Sequence, residues 1–549
     1  MTGVDPGPGA GAPTAERRAR SLPVIAAREG GAREAGRIAS DPQAPVSAGP
    51  VIGVITLGCD KNTVDSERIM GSLVGAGARV RTDSEGADVL IVNTCGFIDA
   101  AREESVDTIL AAVRLKEEGR VGAVVAMGCM VQRYGEELRG EIPEVDLFLG
   151  LTEAGQLVPE MRARGLLPDP ARVPLMERPL RAIAGPASHT AHLKISEGCD
   201  HACAFCAIPL MRGRHRSTPM AELVAEAREL ERRGVVELSI VSQDTTWYGR
   251  DWVRAAARSG VARGATAPGA RPAREPRTDG WFVGARFARM AGIGPAGQAQ
   301  PVVLPADLPD GPLPPNGLLP RLLRGLLAET DIPWLRLFYM YPSGITPELV
   351  ETMAGHDRIL PYMDMPLQHG SDRVLALMRR PERRAVVRER VGWLRDAIAG
   401  LALRTTVILG FPGETDDDVD ELVDLLEEIR FDYLGAFAYS PEEGTPAARM
   451  EGRVPEGVVR ERLERVLDVQ RSITHDANAE RIGSETDLLV DRAANPETGE
   501  HAVGRTAAQA PEVDGVVYVT DAPAACPGDF VRVRITGADE NDLSAELAA

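Results

Sequence analysis

Three cysteines, Cys199, Cys203 and Cys206, stand in the stretch GCDHACAFC in a CxxxCxxC arrangement. Thiolates so spaced on a short loop can turn their sulfurs to one side and reach three corners of a cubane iron-sulfur cluster, which leaves the fourth iron open. A zinc site would want a fourth Cys or His close by, and His201, inside the loop, is poorly placed to serve. Three further cysteines, Cys59, Cys95 and Cys129, are remote from one another, but each follows an apolar run and has a glycine beside it, Gly58, Gly96 and Gly128. Bare backbone at such points lets the chain approach a bulky inorganic group. Any one of the three alone reads as an ordinary buried thiol. Three in equivalent positions predict a second cluster, again with one iron free. The seventh, Cys526, lies alone in a Pro-rich turn and reads as structural or idle.

The elements that must position these residues alternate. Val51 to Leu57 is an apolar β run, Thr63 to Ala76 a helix, Ala87 to Val92 a buried strand, Ala100 to Glu118 a helix and Val121 to Met127 another strand. Alternation of this kind implies an open parallel α/β sheet covered on both faces. It places Cys59, Cys95 and Cys129 at carboxyl ends of parallel strands, the edge where such sheets carry their sites. A Pro-rich connector from Arg172 to Ser188 leads into a strand from Ala191 to Ser196 that feeds the CxxxCxxC loop. Strand and helix then repeat: strands Glu237 to Val241, Trp334 to Tyr339, Tyr362 to Pro366, Leu403 to Leu409 and Tyr433 to Tyr439 alternate with helices Met220 to Arg233, Leu318 to Glu329, Pro347 to Ala354, Ser371 to Met378, Arg383 to Ala399 and Asp416 to Ile429. About six βα units make a partial (β/α) barrel of the TIM type, with chemistry expected at the carboxyl-end loops.

Four boundaries follow. Residues 1–50, rich in Ala, Gly, Pro and Arg, read as a disordered leader. The first α/β unit covers 51–165 and the barrel 186–481, interrupted over 250–316 by a patternless surface insertion. A long helix from Glu456 to Arg481 precedes a small β-barrel over 482–549, with strands at Asp487 to Val490, His501 to Gly504, Val516 to Thr520 and Asp529 to Ile535.

With 549 residues the chain has ample length for several cores. It holds no run of eighteen apolar residues and no secretory signal, so a soluble, cytoplasmic protein with no membrane partner is expected. Seven cysteines, an odd number in so long a chain, are not a disulfide framework. The net charge of −19 argues against a protein that lives mainly on phosphate backbones and suits a basic partner. The last module is itself acidic, with thirteen Asp or Glu against four Arg between Glu485 and Glu546.

The order of these three units, and the strings LGCDKNTVDSE, NTCGFIDAAREES, ISEGCDHACAFCAIPLMRG, SQDTTWYG, LPYMDMPLQHGSD, GFPGET and APEVDGVVYV, resemble the radical S-adenosylmethionine methylthiotransferases, in the branch that acts on small-subunit ribosomal protein twelve. The resemblance runs from about Val51 to the end, apart from the insertion, and identifies the last module as a TRAM domain. It implies methylthiolation of the β-carbon of one aspartate, giving 3-methylthioaspartate. Cys199, Cys203 and Cys206 match the ligands of the radical 4Fe-4S cluster, and Cys59, Cys95 and Cys129 those of an auxiliary 4Fe-4S cluster. S-adenosylmethionine, cleaved with one electron, would supply the radical that abstracts hydrogen, and a second S-adenosylmethionine the methyl group. The auxiliary cluster would present the sulfur. Phe205 could pack against the adenine, the bare backbone of Gly410 and Gly413 could approach the cofactor, and Lys194 and Arg212 are candidates to anchor a carboxylate. One departure is visible: the family often has Arg where this chain has Thr218.

The expected partners are the ribosomal protein or the small subunit, an external electron donor and a sulfur source. A tRNA adenosine methylthiotransferase is the alternative within the family, disfavoured because a module that grips phosphate should be basic. A non-enzymatic iron-sulfur scaffold or redox sensor is the alternative of a different class.

Overall fold

In the computed structural model the described residues are 49–170, 180–182, 189–259, 304–305, 308, 313–314, 317–495, 498–520, 522 and 525–548. The expected leader, most of the Pro-rich connector and most of the insertion lie outside them. The first unit runs β1 (Val51–Thr56), α1 (Asp60–Gly75), β2 (Arg79–Arg81), β3 (Val89–Thr94), α2 (Asp99–Glu117), β4 (Ala123–Gly128), α3 (Cys129–Glu141), β5 (Leu147–Gly150) and α4 (Leu157–Ala163). Its five strands form one parallel sheet in the order β2-β1-β3-β4-β5. Every residue of β3 and β4 is buried, because helices cover both faces. Each Leu, Ile or Val enclosed there contributes about 1.5–3 kcal/mol through burial.

The second unit runs β6 (Thr190–Lys194), β7 (Ser196–Glu197), α5 (Ile208–Arg212), β8 (Arg216–Ser217), α6 (Met220–Arg232), β9 (Glu237–Val241), α7 (Arg250–Ser259), α8 (Leu319–Glu329), β10 (Trp334–Leu337), α9 (Pro347–Ala354), β11 (Ile359–Asp364), α10 (Asp372–Leu377), α11 (Arg384–Ala397), β12 (Ala402–Leu409), α12 (Asp416–Ile429), β13 (Tyr433–Ala438) and α13 (Glu456–Arg481). Six strands make a parallel sheet ordered β13-β12-β11-β10-β9-β6, so each strand pairs with its neighbour in the chain, as in a partial barrel. Leu403, Val407 and Leu409 of β12 enter the core under the helices. By the two-residue period of a strand, Arg404, Thr406 and Ile408 belong to the opposite, inner face.

The last unit, β14 (Glu485–Arg492), β15 (Ala502–Thr506), β16 (Val517–Thr520), β17 (Phe530–Ala538) and β18 (Leu543–Leu547), is a closed five-stranded barrel. It packs Leu489 and Ala510 against Trp334, Tyr362 and Tyr433 of the second unit. A buried ion pair joins the two, Arg505 to Glu237 at 2.7 Å, and Arg336, itself paired with Glu237, donates from Nη1 to Ala507 O at 2.9 Å.

Four short strands, β2, β5, β8 and β18, escaped the periodicity because few residues carry each. The stretch from Arg250, expected to lack pattern, opens with the helix α7, whose Trp252 is buried against Tyr248. No described helix is long and apolar enough to cross a membrane.

Candidate metal centres

The loop carrying Cys199, Cys203 and Cys206 is held on both sides. Gly198 precedes it with φ of 70°, and a Cβ there would collide with the carbonyl of Arg214 across the β7–β8 pair, so only glycine fits. The Cys199 amide donates to Gly213 O at 3.0 Å, the Ala204 amide to Met378 O at 2.8 Å, and Ala204 O accepts from the Ala447 amide at 2.8 Å. His201 is committed elsewhere. Its ring nitrogen lies 2.7 Å from Asp244 Oδ2, and the ring is stacked between Trp247 at 3.9 Å and Tyr341 at 4.3 Å. Its backbone N–H points to Cys199 Sγ at 3.4 Å, a bond of the kind that tunes cluster potentials.

Sequence reasoning missed a charged neighbour of the loop cysteines. Arg380, enclosed after α10, places Nη1 3.9 Å from Cys203 Sγ and its guanidinium 4.0 Å from the centre of the Tyr341 ring. Its Nη2 donates to Pro366 O at 2.8 Å and its Nε lies 3.2 Å from Glu382. The only sequence signal was a charged run after an amphipathic helix, which usually marks a solvated surface.

The second triplet is gathered by topology. Cys59 caps α1, Cys95 directly follows β3 and Cys129 opens α3 at the end of β4. A Cβ on Gly58, which has φ of 89°, would stand 2.8 Å from Cys95 Cβ and 2.9 Å from its Sγ, so the bare residue lets the first strand end press against the second. Asn62 ties the three ends together: its Nδ2 donates to Leu57 O at 2.9 Å and Thr94 O at 3.1 Å, and its Oδ1 lies 3.6 Å from Cys129 Sγ. Burial pushes the Cys129 thiol up to about 12, opposed by Arg212 and reinforced by Cys59 and Cys95. In the loop triplet burial likewise raises Cys206 to about 12, with Cys203 adding to it. Burial therefore holds back ionisation of Cys129 and Cys206, a cost that a bound metal would compensate. Among the described residues no three His, Cys, Asp or Glu side chains converge on a point fit for a single ion. The donor set, sulfur only in both places, fits iron-sulfur clusters.

Between the triplets lies a buried ionic wall. Lys194 Nζ pairs with Asp65 and, at 2.6 Å, with Glu197, while Arg212 Nη1 reaches Asp65 at 3.1 Å and Glu197 at 2.9 Å. Arg212 Nη2 donates to Asn62 Oδ1 at 2.6 Å, which links the wall to Cys129. Against the burial that would raise it, Arg212 and Lys194 hold the Glu197 carboxyl down to about 2. Lys194 and Arg212, expected to anchor a ligand's carboxylate, are therefore occupied by the chain's own. A second clasp lies farther out, where Glu442 accepts from Arg102 at 2.5 Å and from Arg133 at 2.9 Å.

Phe205 is half-buried and packs with Val374, Met378 and Phe411, with Ile408 and Tyr439 at the same cluster. The Gly410 amide donates to both oxygens of Glu414 at 3.0 Å, and a Cβ there would strike Val459 of α13. Close passage of that helix accounts for the glycine. The Gly413 amide donates to Gly452 O at 2.8 Å. Thr218, the departure noted above, is buried and donates its amide to Ile195 O at 2.9 Å.

Three family models match: uncharacterized protein family UPF0004 over residues 51–150, the radical SAM superfamily over 193–273 and 315–426, and the TRAM domain over 482–548. Relatives named ribosomal protein uS12 methylthiotransferase RimO include one from Anaeromyxobacter sp. (strain Fw109-5), 42% identical over 498 residues that cover 90% of this chain and 92% of the relative. The counterpart in Symbiobacterium thermophilum is 41% identical over 92% of this chain and 93% of its own. That of Geobacter sulfurreducens is 36% identical over 90% and 98%. With such identity sustained across all three units, the chain belongs to the RimO family of radical SAM methylthiotransferases.

Proposed function

We propose that this enzyme methylthiolates the β-carbon of one aspartate of ribosomal protein uS12, giving 3-methylthioaspartate. The observation that carries the reading is the pair of three-cysteine sets joined by one buried network, from Cys129 through Asn62 to Arg212 and Glu197 beside the loop of Cys199. Cys199, Cys203 and Cys206 would hold a 4Fe-4S cluster that works with S-adenosylmethionine. Cys59, Cys95 and Cys129 would hold a second 4Fe-4S cluster. When bound, these groups supply an electron, a carbon-centred radical and a sulfur, because side-chain acids and bases do not break an unactivated carbon-hydrogen bond at neutral pH.

The chain's own residues prepare that chemistry. The His201–Asp244 pair and the backbone bonds at Cys199 and Ala204 fix the loop. Phe205, Ile408 and Phe411 offer an apolar face for the adenine, and the turn from Gly410 to Gly413, braced by Glu414, borders it. Residues 51–165 carry the sulfur-bearing cluster, 186–481 the radical chemistry, and 482–549 dock the partner. The acidic last module matches a basic ribosomal protein better than tRNA. An external electron donor, a sulfur source and a cytoplasmic site of action follow. The names of the relatives favour this reading over tRNA modification and over a scaffold without catalysis.

Mass spectrometry of uS12 from cells with and without the gene tests it. An added methylthio mass on one aspartate, lost with the gene, is expected; unaltered uS12 together with a lost tRNA adenosine modification would reverse the assignment.

A further inference from the structure

Arg404 lies on the inner face of β12 and is fixed from two sides. Its Nη1 donates to Asp364 Oδ1 at 2.9 Å and to Thr406 Oγ1 at 3.3 Å, and its Nε faces Asp514 Oδ1 of the C-terminal module at 3.4 Å. The remaining nitrogen, Nη2, has no partner among the described residues. It borders Gly435 on β13, where an added Cβ would stand 3.4 Å away. The side chain keeps 15% of its surface open. Thr406 accepts from Arg404 with its oxygen, which leaves its own hydroxyl hydrogen to give. A guanidinium edge, a hydroxyl donor and a bare glycine together make a seat for a small anion.

The seat connects to the sulfur-bearing edge. Asp364 Oδ2 accepts from the Tyr339 amide at 3.1 Å, and the Tyr339 hydroxyl donates to Asp60 Oδ1 at 3.2 Å, one residue from Cys59. Tyr339 holds a φ of 57°, rare for an aromatic residue, a strain that tends to persist at functional sites. Other cations nearby are spent. Lys194 and Arg212 serve Asp65 and Glu197, Arg380 is enclosed, and Lys61 sits 3.0 Å from the centre of the Tyr339 ring and 3.3 Å from Asp60.

We infer that Arg404, with Thr406, binds the side-chain carboxylate of the aspartate that is modified. This rests on the proposed function and adds the residue that reads the substrate. The carboxylate carbon of aspartate is bonded directly to its β-carbon, so holding the carboxylate fixes the reacting carbon to within one bond rotation. Asparagine, equal in shape but neutral, would forfeit the charge-assisted bond. The same seat could instead take the carboxylate of S-adenosylmethionine, and the experiment separates the two.

Calorimetric titration of the cluster-loaded full chain would use two peptides spanning the modified loop of uS12, one with the aspartate and one with asparagine there, and S-adenosylmethionine alone. Wild type should favour the aspartate peptide about tenfold or more. Arg404→Gln should erase that preference and leave S-adenosylmethionine affinity unchanged, and Arg404→Lys should restore part of it. Intact cluster absorbance and thermal midpoint confirm folding of each variant, and the Lys variant carries the test if the Gln variant is unstable. A preference that survives both substitutions overturns the inference, and so does a fall in S-adenosylmethionine affinity alone, which would assign the seat to the cofactor. Should wild-type protein bind neither peptide and cells lacking the gene retain modified uS12, the proposed substrate falls and Arg404 with it. Binding of both peptides equally by wild type, with uS12 still modified in cells, sinks only the role of Arg404.

Discussion

Cys199, Cys203 and Cys206 sit on one short loop, whereas Cys59, Cys95 and Cys129 come from the ends of three parallel strands. The loop triplet needs local geometry: a glycine with φ of 70°, a two-stranded clasp and backbone bonds to Met378 and Ala447. The strand-end triplet needs the whole sheet, and Asn62 bridges strand ends that the sequence keeps apart. Their electrostatics differ in the same sense. Arg380 stands 3.9 Å from Cys203 Sγ, while Arg212 is shared between Asp65 and Glu197 and meets Cys129 through Asn62. A site written in one loop can be tuned by one neighbour; a site written in a topology depends on everything that fixes that topology.

The largest expected effect separates the two triplets outright. Cys203→Ala should abolish cleavage of S-adenosylmethionine to 5′-deoxyadenosine, and Cys95→Ala should leave that cleavage running while methylthiolation of uS12 stops. Each variant should lose about half of the iron that the wild type binds after reconstitution. If Cys95→Ala protein held full iron, the strand-end cysteines would not be ligands and the comparison would collapse.

The next effect concerns what holds the strand-end triplet in place. Arg212→Met leaves Asp65 and Glu197 facing each other with only Lys194 between them. Removing one partner of a buried ionic group costs about 3–5 kcal/mol. Arg102→Ala should cost far less, because that side chain is partly open and Glu442 retains Arg133. Calorimetry of the full chain checks the ranking. Arg212→Met should also weaken retention of the strand-end cluster more than that of the loop cluster, as resolved by their separate electron paramagnetic signals. Equal loss of both would mean that the wall supports the loop as strongly as the sheet.

The same contrast explains what could be read from the sequence. The position of Cys59, Cys95 and Cys129 at strand ends, the loop of Cys199, and long elements such as Pro347–Ala354, Asp416–Ile429 and Glu456–Arg481 were legible because spacing, period or turn residues announce the elements that carry them. The partners of Lys194 and Arg212 were not. Asp65, which binds both, lies far upstream on α1, and no local pattern announces that a helix of one unit will lay a carboxylate on a strand of another. Arg380, Arg404 and Asn62 escaped for that reason: their roles come from distant contacts. Gly410 and Gly413 were legible as a strand-ending turn, yet only the structure shows Val459 of α13 against the first of them.

The smallest effect bears on electrostatics alone. Adding an electron to the loop cluster adds negative charge beside Arg380, whose cation lies against Cys203 Sγ with Glu382 as its nearby carboxylate. Arg380→Met should therefore make that cluster harder to reduce. A tenfold fall in the ratio of reduced to oxidised cluster at fixed potential corresponds to a midpoint about 59 mV more negative for one electron. Arg380→Lys keeps the charge and should recover most of the shift. The strand-end cluster should not move in either variant, because the contacts of Arg380, to Cys203, Tyr341, Pro366 and Glu382, involve none of the strand-end cysteines. Redox titration followed by electron paramagnetic resonance reads both clusters in one sample. A parallel shift of the two would show that they sense one common field, and an unmoved loop cluster would show that the contact between Arg380 and Cys203 carries no electrostatic weight.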